Sequence, residues 1–195
     1  MQIVAHRRNT IPELQATPLE HGVEVDIRSQ GERLIIHHDP FTDGGGFEAW
    51  LEHYRHALLI LNVKEEGLEQ RLIGLMADRG IEHWFFLDQS FPFLIRTARN
   101  GERRCAVRVS EYESVETALA VAPLVDWVWV DCFTRFPLSG ADARRLTDAG
   151  LKLCLVSPEL QGLPAETSIP ELRQRAESLG APIEAVCTKR ADLWS

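Results

Sequence analysis

The segment Glu24-Val25-Asp26 sets two carboxylates two residues apart inside a short apolar run, Val23–Ile27. In a strand, side chains alternate, so both acids share one face and Val23, Val25 and Ile27 take the other. Neighbouring carboxylates aimed into a protein repel each other and are costly to desolvate, so they need a positive partner. A hard divalent cation with oxygen ligands meets that need. The plainer alternative is an exposed edge strand with salt-bridged acids. Other chemically capable residues also end apolar runs: His6-Arg7-Arg8-Asn9 after Gln2–Ala5, His37-His38-Asp39 after Leu34–Ile36, and Asn62-Val63-Lys64 at the close of Leu58–Val63. Alternation puts Asn62 and Lys64 on a common face and His37 on the opposite side from His38.

The elements that would position these residues recur along the whole chain. Strand-like runs are expected at Gln2–Ala5, Val23–Ile27, Leu58–Val63, Trp84–Leu87, Cys105–Val109, Trp127–Val130, Leu151–Val156 and Pro182–Cys187. Helices are expected between them, near Ile11–Glu20, Phe47–His56, Leu68–Arg79, Phe91–Arg99, Ser114–Ala122, Gly140–Ala149 and Ile169–Ser178. Gly80, Gly150 and Gly180 follow three of these, where a left-handed residue ends a helix. Repeated strand–helix units mean parallel strands joined by crossovers. About eight units predict one compact α/β domain over residues 1–195, a (β/α)8 TIM barrel. A small β excursion follows the second strand, turning at Gln30-Gly31-Glu32, and the last helix is truncated to the few residues after Lys189. Gly44-Gly45-Gly46 reads as a flexible loop at the barrel mouth. No Gly-x-Gly-x-x-Gly loop follows the first strand, which counts against a dinucleotide-binding open sheet.

Bulk properties narrow the function further. The formal net charge is −8, which argues against a general nucleic-acid binder with its basic face but leaves room for a local basic pocket for one phosphate. No apolar stretch approaches a membrane span, and the N-terminus does not read as a secretory leader. Cys105, Cys132, Cys154 and Cys187 are widely spaced in apolar runs without a CxxC pair, which points to reduced, buried thiols in a cytoplasmic protein.

The order His6-Arg7, Glu24-Val25-Asp26, His38-Asp39 and Asn62-Val63-Lys64 resembles the signature of glycerophosphodiester phosphodiesterases, and is similar to the sphingomyelinase D enzymes that share their fold. The likeness covers the first third of the chain. It implies a phosphodiesterase with His6 and His38 as the acid–base or nucleophilic pair. Glu24 and Asp26 would be metal ligands, and Arg7 and Lys64 phosphate contacts. The implied cofactor is one divalent cation, Mg²⁺ or Ca²⁺ with Mn²⁺ as an alternative, and the partner a small phosphodiester. The chemistry is consistent: the diester anion must be neutralised and the leaving alkoxide needs a proton.

Asn62 departs from that pattern, standing where a third carboxylate is usual; as a metal ligand its amide oxygen can still bind Mg²⁺ or Ca²⁺ but brings no charge, which predicts weaker binding or recruitment of another acid. Asp131, after Trp127–Val130, and Asp88, after Trp84–Leu87, are the candidate replacements, with Asp131 preferred; each also suits a helix N-cap. Arg108 is a further expected phosphate contact unless it pairs with an acid such as Glu111, and Glu159 is placed near the mouth. Trp127 and Trp129 are read as core. Two other functions fit the same barrel: a sugar-phosphate isomerase or aldolase using Lys64, and a phosphodiester-binding module whose metal site has decayed at Asn62.

Overall fold

A computed structural model describes residues 1–195. In chain order the elements are β1 (Gln2–Ala5), α1 (Ile11–Ala16), β2 (Gly22–Gln30), β3 (Arg33–Ile36), β4 (Gly45–Gly46), α2 (Phe47–Leu51), β5 (Leu59–Val63), α3 (Glu69–Asp78) and β6 (Trp84–Leu87). There follow α4 (Phe91–Arg99), β7 (Ala106–Val109), α5 (Val115–Val121), β8 (Trp127–Val130), α6 (Gly140–Asp148), β9 (Lys152–Val156), a 3₁₀ turn at Pro158–Gln161, α7 (Ala165–Ser178), β10 (Ala185–Thr188) and α8 (Ala191–Trp194).

Parallel pairing runs β6-β5-β2-β1-β10-β9-β8-β7, curling the sheet into a barrel. At the seam between β6 and β7 the ladder shrinks to one bridge, Phe86 to Cys105. The seam is held there by that bridge and by the Phe86 N–H donating to the Arg104 carbonyl at 2.8 Å, so the continuous ladder expected of a closed (β/α)8 barrel is interrupted. The β excursion is present: β2 runs past the barrel rim and folds back antiparallel on β3, pairing Ile27 with Ile36 and Gln30 with Arg33.

Alternation sorts the strand side chains into two cores. Val4, Ile60, Phe85, Trp127, Trp129, Cys154 and Cys187 fill the barrel interior, while Val25, Leu61, Phe86, Val128, Leu155 and Val186 pack outward under the helices. Both tryptophans are thus core, and all four cysteines are free and buried. Gly80, Gly150 and Gly180 have positive φ, as their positions after helices predict.

Three local expectations differ from the structure. Helix α1 stops at Ala16 because Pro18 disfavours helical geometry at Thr17, whose ψ is 133°. Helix α2 stops at Leu51, since Tyr54 and His56 must turn inward and become buried. Helix α7 starts at Ala165, ahead of the expected Ile169. Pro170 sits inside it, where burial of Ile169 offsets the missing N–H bond.

The glycine run is also ordered. Gly45 and Gly46 pair with Ile36 and Ile35 as β4. A Cβ at Gly44 would lie 2.4 Å from the Ile36 carbonyl oxygen, so the run permits close backbone approach rather than looseness.

Candidate active site

The carboxyl ends of β1, β2 and β5 bring the acid pair together with its neighbours. Glu24 and Asp26 are both fully buried on the inner face of β2, so the edge-strand alternative does not hold. Arg7 has a left-handed backbone, φ 51°, which aims its N–H at Glu24 Oε2 at 2.7 Å. Asn62 donates its Nδ2 to Glu24 Oε1 at 2.7 Å. Burial first, then the charge of Asp26, pushes the Glu24 pKa up from 4.5 to about 7, against the pull of the Asn62 and Arg7 donors.

Asp26 is held by Asn9, which donates Nδ2 to Oδ2 at 2.8 Å and accepts the Asp26 N–H at 3.0 Å. Cations flank it: Lys64 Nζ lies 3.3 Å from Oδ1, and Arg7 Nε 3.5 Å from Oδ2. Asp26 Oδ1 and Asn62 Oδ1 are buried oxygens that receive no hydrogen bond.

His6, just past β1, sets Nε2 3.9 Å from Glu24 Oε2. Burial, then the charges of Arg7, Lys189 and Lys64, pushes its pKa down to about 3. The imidazole is consequently neutral, and its contact with Glu24 is not an ion pair. His38 lies past β3, with Nδ1 2.8 Å from Asp39 Oδ1. Its ring borders a cleft of about 910 Å³ shared with Arg7, Asn9, Asp39 and Trp50. His37 also borders this cleft, and its Nδ1 lies 3.0 Å from the Asp39 backbone nitrogen.

Beyond Lys64 the network changes partners. Lys64 Nζ also contacts Asp88 Oδ2 at 3.1 Å, and Asp88, with φ 62°, bonds Arg108 through its other oxygen. Arg108 donates to Asp131 Oδ2 at 2.8 Å. Asp131 Oδ1 accepts from Gln161 at 2.6 Å and from the Cys132 N–H at 3.0 Å. Both oxygens of Asp131 are thus engaged with Arg108, Gln161 and the Cys132 N–H, and none of these contacts is with Glu24, Asp26 or Asn62. Asp88 likewise serves Lys64 and Arg108.

Arg108 does pair with acids, but not with Glu111. Glu111 accepts the backbone N–H groups of Phe133, Thr134 and Arg135, which tie the loop after β8 to the loop after β7. Glu159 does stand at the barrel mouth, but it accepts from Thr188 Oγ1 and the Lys189 N–H.

No group of three or more His, Cys, Asp or Glu side chains converges as a metal cluster. A cation here would therefore draw on the amide oxygen of Asn62. Asn9 is named in the run His6-Arg7-Arg8-Asn9 but given no role from sequence, and Lys189 and Gln161 are given none either. Only Asn9 carried a hint, its place directly after His6-Arg7-Arg8. A separate hollow of about 680 Å³, lined by Arg55, His56, Arg79 and His83, lies at the opposite, amino end of the strands.

No protein-family model matches the chain, and no curated protein matches it in sequence. Solved structures do match. A glycerophosphodiester phosphodiesterase from Agrobacterium tumefaciens superposes with a TM-score of 0.70 at 16% identity, covering 99% of this chain and 98% of its own. A glycerophosphoryl diester phosphodiesterase from Parabacteroides distasonis gives 0.66 at 13% identity, with 96% and 82% covered. The chain has the fold of these phosphodiesterases. A tryptophan synthase α-subunit variant from Pyrococcus furiosus also matches, with a lower TM-score of 0.57 at 12% identity, covering 98% of this chain and 87% of its own. Related barrels carry different chemistries, so the function must be argued from the site.

Proposed function

We propose that this chain is a phosphoric diester hydrolase acting on small diesters of the glycerophosphodiester type, or on phosphate-linked sugar or alcohol diesters. One observation carries the reading: the buried pair Glu24–Asp26 is flanked at one barrel mouth by Lys64, Arg7 and His6. Acids alone at that depth suit a structural ion pair. The imidazole and the cations beside them suit a reacting anion.

A divalent cation, Mg²⁺ or Ca²⁺, fits this donor set, since Asn62 Oδ1 is a buried oxygen that receives no hydrogen bond and Asp26 Oδ1 has only the ion-pair contact with Lys64 at 3.3 Å. Glu24, Asp26 and Asn62 would hold it, and when bound it supplies positive charge beside the phosphoryl oxygens. Lys64 and Arg7 neutralise the non-bridging oxygens and orient the diester. His6 takes the proton of the attacking water or hydroxyl as its oxygen bonds to phosphorus, with Glu24 Oε2 3.9 Å away to balance the imidazolium that forms. As the P–O bond to the alcohol breaks, His38, oriented by Asp39, gives the leaving oxygen a proton. Where the substrate carries a hydroxyl beside the ester, as glycerol does, that hydroxyl attacks and a cyclic phosphate forms first.

The test is a panel of phosphodiesters assayed with EDTA and then with single metals, on wild type, His6→Ala and His38→Ala. Turnover should vanish in EDTA and return with Mg²⁺ or Ca²⁺, and each alanine should lower kcat by roughly 10²–10⁴ at unchanged Tm. Turnover indifferent to EDTA removes the cation from the reading, and wild-type rates in both variants remove the histidines. Asn62 also suits a binding module that has lost its metal. A protein that neither binds these metals at millimolar concentration nor turns over any diester is that module.

A further inference from the structure

We propose that Arg28 is a positioning residue that locks His38 and Lys64 into one geometry. Alternation continues the inner face of β2 from Glu24 and Asp26 to Arg28, past the barrel rim. There its half-buried guanidinium reaches two carbonyls on two different segments. Nε and Nη2 donate to the His38 carbonyl oxygen at 3.2 and 2.9 Å. Nη1 donates to the Lys64 carbonyl oxygen at 3.2 Å. All three bonds end on main chain, so the side chain acts on the course of the backbone beneath two site residues.

The planarity of guanidinium gives this contact its force. Its N–H bonds diverge in a rigid fork, so holding two carbonyls at once sets the distance between them. The Lys64 end needs little help, because its own N–H already bonds the Ile27 carbonyl at 3.0 Å. His38 is different. It lies between β3 and β4 in a segment that carries Phe41, a fully exposed aromatic with φ 60°. The two bonds from Arg28 tie this segment to the strand that bears Glu24 and Asp26. A lysine at position 28 would keep the charge but bring one nitrogen, which cannot span both carbonyls.

The inference rests on the phosphodiesterase reading, in which His38 and Lys64 act on one substrate. Two measurements separate them: hydrogen–deuterium exchange over residues 37–44, which needs no substrate, and steady-state kinetics with the best diester of the panel. Both are run on full-length wild type, Arg28→Lys and Arg28→Met. Both variants should keep Tm within a few degrees while residues 37–44 exchange faster. Their kcat should fall by about 10- to 100-fold, as expected for a displaced catalytic group, with KM altered less than about 3-fold. Lysine should rescue neither readout.

Wild-type exchange over residues 37–44 in both variants overturns the proposal. So does a raised KM at unchanged kcat, which would make Arg28 a phosphate ligand. Loss of protection throughout the molecule would make the role merely structural, and also overturns it. If wild type cleaves no diester, the functional reading fails, and the exchange data alone still decide whether Arg28 holds the segment.

Discussion

Glu24→Gln should make the metal-free protein more stable at neutral pH while abolishing its activity. Glu24 is fully buried beside Asp26, and its pKa is carried from 4.5 to about 7. A carboxyl with a raised folded-state pKa helps the folded protein most below its unfolded value, and that help is lost as pH rises through the folded value. The window is therefore about pH 4.5 to 7, and the loss across it comes to about 3 kcal/mol, at 1.36 kcal/mol per tenfold change in proton affinity.

Glutamine does not titrate, so it avoids that loss. It also weakens the bonds that the carboxylate accepts from the Arg7 N–H and Asn62, at about 1–2 kcal/mol. The net expectation is a gain of about 1–2 kcal/mol at pH 7.5 and none below pH 5. Urea unfolding of both proteins in EDTA, from pH 4.5 to 8, measures it. The difference between the curves isolates Glu24 from the other carboxylates, several of which are shifted the opposite way. A variant no more stable than wild type at pH 7.5, or a difference independent of pH, would falsify the view that Glu24 is held against its own ionisation. With metal at millimolar concentration the order should reverse, since the cation stabilises only the protein able to bind it.

Three other outcomes follow from the same geometry. Arg108→Ala should lower stability by about 2–4 kcal/mol, because Asp131, 2% exposed, loses its cation; Arg108→Ala unfolding at the wild-type urea midpoint would show that Gln161 and the Cys132 N–H suffice. Gly44→Ala should destabilise the β3–β4 leg by at least about 2 kcal/mol and lower kcat with it, since the new methyl meets the Ile36 carbonyl; an unchanged Tm would argue that the leg relaxes freely. Asp39→Asn should lower kcat on the order of 10-fold with little change in KM, by freeing the ring that Asp39 holds at 2.8 Å; equal kcat values would mean that the cleft alone orients His38.

Local rules carried the sequence reading a long way. Period-two alternation sent Glu24 and Asp26 inward, and separated Trp127 and Trp129 from Val128 correctly. Those rules hold because strand geometry depends only on the chain's own backbone. They failed where a second segment decides. Gly44–Gly46, expected as a flexible loop, became an ordered return leg because Ile35 and Ile36 were there to pair with Gly46 and Gly45.

The sequence by itself determined the strand–helix alternation, the inward acid pair and the segments on which His6, His38 and Lys64 stand. Only the tertiary structure decided how the charges are shared. Asp88 and Asp131 go to Arg108, Asn9 goes to Asp26, and Arg28 joins two main-chain segments. A buried ion or amide takes whichever partner the curled sheet brings within about 3 Å, and that distance is set by packing across many strands, which spacing along one strand does not encode.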